Sequence, residues 1–149
     1  MSVQIAMVDG RGELVDSASG NITLLPGQTS AITGSVDGDR SIRALEVQVS
    51  NAESDWEEID YSTGDLVFSQ VKIKRDRFDN EVTGRVESNF EDQLESAQVI
   101  VVYRRNGRII GGDYTYLEFV PAGGRATFKI FSDFVALPAG VKAEMYYSL

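Results

Sequence analysis

Asp76-Arg-Phe-Asp-Asn-Glu81 gathers the residue types best suited to holding a cation: the carboxylates at 76, 79 and 81 and the Asn80 amide are hard oxygen ligands of the kind calcium takes. Their spacing fits no EF-hand loop, and Asp and Asn are equally favoured where a chain reverses, so a solvated hairpin turn without a tightly held metal is expected. Asp9-Gly-Arg-Gly-Glu13 and Asp37-Gly-Asp39 have the same character. Acid–base and thiolate chemistry lack their commonest carriers, because the chain contains neither histidine nor cysteine. The lack of cysteine also removes a disulfide framework and a thiolate zinc site. A glycosidase would need two carboxylates about 5–10 Å apart across a cleft, with aromatic platforms beside them. Phe119, Phe131, Phe134, Tyr146 and Tyr147 are spaced as strand residues that pack within sheets. Tyr114 and Tyr116 share one face of a strand beside the Gly111-Gly112 bend, and they are the pair best placed to stack on a sugar ring. Gly10-Arg-Gly and Gly111-Gly-Asp lack the length, the lysine and the following helix of a phosphate loop. No catalytic residue, cofactor or metal is assigned.

The elements that would position these residues are strands. Val3, Ile5 and Met7 alternate with Gln4 and Ala6, and Leu45, Val47 and Val49 with Glu46 and Gln48, the period-2 signature of a half-buried strand. The same rhythm returns in Val67–Arg75, Glu81–Val86, Ala126–Phe131 and Val141–Tyr146. Turn signals such as Asp9-Gly, Pro26-Gly27, Asn106-Gly107 and Gly123-Gly124 separate these runs, which indicates an antiparallel sandwich rather than βαβ units. Only Asn51–Gly64 could be helical, through the capping-box spacing of Ser54 and Glu57. Residues 53–64 read as an acidic linker, with Trp56 packed where two domains meet or carried on a mobile tether.

Two stretches say nearly the same thing. Val3–Val15 followed by Ile22–Gly27 recurs as Gln98–Ile110 followed by Leu117–Ala122, with Gly12 matching Gly107 and Pro26 matching Pro121 at a spacing of 95 (107 − 12, 121 − 26). The chain therefore reads as residues 1–52, the C-terminal part of one β domain, and residues 65–149, a whole one. Val99-Ile-Val-Val-Tyr103 is apolar on both faces, and the spacing of 95 carries Ile5 to Ile100 and Met7 to Val102. Ile100 and Val102 are thus expected inward, which puts Val99, Val101 and Tyr103 on the other face, beneath a covering loop or on a contact surface. A partial sheet would leave Val3, Ile5, Met7, Leu45, Val47 and Val49 in need of cover, and a homodimer through residues 1–52 is the simplest source.

A net charge of −9 argues against nucleic-acid binding, which needs a basic surface. No apolar run approaches the roughly 20 residues that span a bilayer, and Met1-Ser-Val-Gln-Ile lacks the basic and apolar regions of a signal peptide.

From Asp65 to Leu149 the chain resembles the FxLYD domain. The features that carry the resemblance are the strand Val67–Ile73, the turn Asp79-Asn80, the strand Val82–Asn89, then Leu94–Tyr103, the turn Arg104-Arg-Asn-Gly and Phe119-Val-Pro-Ala-Gly-Gly-Arg-Ala-Thr-Phe. The name-giving motif falls on Ile100-Val-Val-Tyr-Arg, which keeps Tyr103 but not the Phe, Leu or Asp, and on Ile5-Ala-Met-Val-Asp, which keeps only Asp9. The resemblance implies an all-β, antiparallel immunoglobulin-like β-sandwich, one complete plus one partial repeat, in an extracellular or cell-surface protein such as a lipoprotein. It brings no catalytic residues. The expected function is a non-catalytic structural or adhesion module with a protein or cell-envelope partner; the alternative is a carbohydrate- or peptide-binding module.

Overall fold

Alternation at Val3, Ile5 and Met7 produces the central strand of the first sheet. In the computed structural model, which describes residues 1–34, 41–50, 64–75, 80–132 and 137–149, β1 (Ser2–Val8) lies between β2 (Leu14–Asn21) and β3 (Ala44–Ser50), antiparallel to both. The stretch 51–63, with the expected helical turn and Trp56, falls outside the described residues, as do Asp76 and Asp79. The chain divides into two units, Met1–Gln28 with Gly34–Glu58, and Thr29–Thr33 with Ile59–Leu149. All strand pairing among the described residues is antiparallel, and they contain no helix.

In the first unit the β1–β2 turn uses its own acidic residue. The Asp9 carboxylate accepts from the N–H groups of Arg11 at 2.7 Å and Glu13 at 3.1 Å, and Gly12 takes φ 80°, a conformation open to glycine without strain. Val3, Ile5 and Met7 stand opposite Val49, Val47 and Leu45 on one face of the sheet. Val3 and Met7 are buried, whereas Leu45, Val47 and Val49 stay 59%, 56% and 59% exposed.

The second unit is a sandwich of two three-stranded sheets. One sheet has the order β4 (Leu66–Arg75), β5 (Asn80–Ser88), β8 (Arg125–Ser132); the other has β7 (Arg108–Leu117), β6 (Ala97–Arg105), β9 (Lys142–Ser148). Val82 and Val86 of β5 and Ile130 of β8 are fully buried. Between the sheets, the ring of Phe68 meets that of Tyr147 at 6.5 Å, and the Tyr147 hydroxyl donates to Asp65 at 2.9 Å. Gly84 makes room for the ring of Phe128, since a Cβ there would lie 2.5 Å from Phe128 Cζ.

Central strand β6 is buried on both faces, from Val99 to Val102 and on to Tyr103. Its odd-numbered residues face the other sheet: Val99 pairs with Tyr147, which reaches Phe68, and the Tyr103 phenol lies at Ser132 of β8. This corrects the expectation that Ile100 and Val102 point inward. The cause is one residue of turn. The chain takes six steps from Val8 to its partner Leu14 (14 − 8), but five from Arg104 to its partner Ile109 (109 − 104). The register shifts at Met7/Val8 and Tyr103/Arg104 show the true offset before the turn to be 96 (103 − 7), while after it 95 holds. Val3, Ile5 and Met7 therefore match Val99, Val101 and Tyr103, because a slip of one residue moves every side chain to the opposite face.

Ile100 and Val102 have a different cover. Ser30 Oγ donates to the Tyr147 carbonyl on β9 at 2.7 Å, and Thr33 reaches Gly112 on β7, where an added Cβ would meet Thr33 Cγ2 at 2.7 Å. These anchors lie on the strands flanking β6, so the stretch between them straps across Ile100 and Val102, which are 1% and 7% exposed. The covering loop expected over β6 is present on the face opposite the one assigned from sequence.

Candidate functional site

Tyr114 and Tyr116 share a face of β7 because they are two residues apart on a strand. Their rings meet edge to face, 5.7 Å between centroids at 83°, and they remain 49% and 59% exposed. Gln98 of the neighbouring strand donates to the Tyr116 hydroxyl at 3.2 Å. Edge-to-face packing fixes one ring by the other and leaves a ring face free to stack. Tyr114 lies in register with Ile100 and, one strand further, Tyr146, whose hydroxyl donates to Glu144 at 3.2 Å. Arg104 Nε donates to the same Glu144 oxygen at 2.6 Å, and this bond holds the Glu144 carboxyl below its ordinary range. The face can therefore offer tyrosine rings and a fixed carboxylate–guanidinium pair to a polar ligand with apolar patches. The sequence singled out the two tyrosines but gave no sign of the Arg104–Glu144 pair, which joins strands 40 residues apart.

The other sequence-assigned contacts do not join this surface. Val99, Val101 and Tyr103 are fully buried, and burial, ahead of every other influence, pushes the Tyr103 phenol up. Trp56 lies outside the described residues. In the acidic segment Glu81 is engaged by lysines, at 3.0 Å to Lys129 and 3.7 Å to Lys74, and the Lys129 hydrogen bond lowers its carboxyl. No group of three or more potential ligating side chains converges among the described residues.

Sequence reasoning missed one feature of the first unit and named another only as apolar residues in need of cover. One is a shallow groove of about 410 Å³ on the polar face of its sheet, where the amides of Gln4 and Gln48, the hydroxyls of Ser17 and Ser19 and the Glu46 carboxylate meet. The other is the strip of Leu45, Val47 and Val49 on the opposite face. Period-2 alternation shows that the strip is apolar, but its exposure depends on what lies over it, which no local pattern encodes.

No family model, no curated protein and no solved structure matches this chain.

Proposed function

We propose that this chain is a non-catalytic structural or adhesion module of the cell-surface or secreted kind, acting through sheet surfaces and edges. The observation that carries the reading is the strip on β3, three large apolar side chains more than half exposed on an edge strand, where a sheet makes intermolecular contacts. Two further points support it. Residues 65–149 resemble the FxLYD domain, whose setting is the cell surface. The sheets β2-β1-β3 and β7-β6-β9 share strand order and pairing register, Val3 with Gly20 and Val49 in one and Val99 with Thr115 and Tyr147 in the other, as tandem immunoglobulin-like modules would. Tandem modules suit a spacer that holds or presents other parts.

Labelling intact source cells with an impermeant amine reagent tests the setting. The protein should be labelled in unbroken cells, and labelling only after lysis would overturn the assignment. A second reading, a carbohydrate- or peptide-binding module, is favoured by the exposed Tyr114–Tyr116 pair. Glycan and peptide arrays separate the two: a signal abolished by Tyr114→Ala would favour the binding module, and silence would favour the spacer.

A further inference from the structure

We infer that β3 pairs with β3 of a second copy of this chain, antiparallel about a two-fold axis through Val47, forming a six-stranded sheet β2-β1-β3-β3-β1-β2. The inference deepens the reading of β3 as a contact edge and rests on it. Edge strands offer unpaired backbone groups to any other strand, and proteins blunt them with bulges, lysines or prolines. The other sheet edges among the described residues are treated in that way. Register shifts interrupt the pairing of β2, β4 and β7, and Gln70 of β4 takes φ 53° at its irregularity. Edge strands β8 and β9 carry Lys129 and Lys142. By contrast β3, Ala44-Leu-Glu-Val-Gln-Val-Ser50, has an uninterrupted register with β1 and contains neither lysine nor proline.

Its sequence is also complementary to itself. Antiparallel pairing about Val47 sets Val47 against Val47, Leu45 against Val49 and Ala44 against Ser50, so all seven residues find partners and the apolar side chains fall on one face. Overlap and charge together favour this register, since an axis through Gln48 would leave Ala44 and Leu45 without partners in the strand. Glu46 stands opposite Gln48, whereas an axis through Glu46 would set two carboxylates against each other in a chain already at −9. Residue by residue the strip matches the face of β9 that lies against a second sheet: Val49 pairs with Val3 as Tyr147 pairs with Val99, and Tyr147 is buried while Val49 is 59% exposed. Cross-strand contacts between Leu45, Val47 and Val49 of two copies would cover the flanks of all three.

The absence of cysteine makes the test clean. Opposed residues in an antiparallel pair have Cα atoms about 4.5–5.5 Å apart, within the range a disulfide spans. Under mild oxidation Val47→Cys should become a covalent dimer of twice 16.4 kDa, whereas Leu45→Cys alone should not. A mixture of Glu46→Cys and Gln48→Cys should cross-link between the two variants faster than either does with itself. That arm excludes face-to-face packing, because these residues point away from the apolar face. Val47→Lys, at a position exposed in the single chain, should give a monomer by light scattering, while Val47→Ile stays dimeric. A monomeric wild type with no cross-link overturns the pairing. Amide exchange over 44–50 in that monomer then decides the underlying reading: fast exchange at the amides that do not bond to β1 keeps β3 as an open contact edge for another partner, and slow exchange at all of them, the mark of an edge already covered within the chain, removes that reading too.

Discussion

Tyr147 joins the sandwich at one point, its ring against Phe68 and its hydroxyl on Asp65. Burial first, and the Asp65 carboxylate second, push its phenol up to about 12. A folded-state value above the ordinary value near 10 means that the native state holds its proton more tightly than the unfolded chain. The resulting stability is complete below about pH 10 and is lost as pH rises toward 12. Urea unfolding at stepped pH should show that loss, and Tyr147→Phe should make it shallower; equal slopes would assign the alkaline loss elsewhere. Glu81 and Glu144 act with the opposite sign. Their carboxyls are lowered, by Lys129 and Arg104 respectively, so their contribution is present above the ordinary carboxylate range and fades as pH falls beneath it. Ile100, 1% exposed beneath the strap, offers a test without charge. Ile100→Ala should cost about 2–5 kcal/mol in urea unfolding of the full chain, as large-to-small changes at buried sites do; a loss under about 1 kcal/mol would mean that the strap gives little real cover.

Strands show how far local pattern reaches. The alternation in Val3–Met7 and Leu45–Val49 was legible because a half-buried strand repeats every two residues, and β1 and β3 formed there. The same signal was silent for β6, whose residues 99–102 are apolar throughout, and the inference by spacing failed on a single extra turn residue. Tyr114 and Tyr116 were legible as a pair because their relation is local, whereas Arg104–Glu144 and the strap over Ile100 depend on strands brought together by the fold. The strap is testable at Gly112. A side chain there meets Thr33 Cγ2 at 2.7 Å and the Val101 carbonyl at 2.8 Å, so Gly112→Val should destabilise by about 1–3 kcal/mol, the usual cost of overpacking. Thr33→Ala in that background should recover only part of the loss, because the Val101 carbonyl is backbone and cannot move aside. Full recovery in thermal melts would locate the clash in the strap alone.

The whole molecule carries a charge of −9, so two copies repel as they approach. Pairing through β3 should accordingly tighten with salt: in sedimentation equilibrium the dimer fraction should rise between about 20 and 500 mM NaCl, as the screening length shortens. A fall with salt would point to an interface built on opposite charges. The strap also fixes an order in time. Ser30 bonds to Tyr147, 117 residues further along the chain. At a synthesis rate of about 5–20 residues per second, roughly 6–23 s pass between the emergence of the strap from the ribosome and that of the strand that receives it. Thr33 can meet Gly112 once β7 has emerged, but Ser30 lacks its acceptor until β9 follows, so Ile100 and Val102 gain their full cover only after β9 is made.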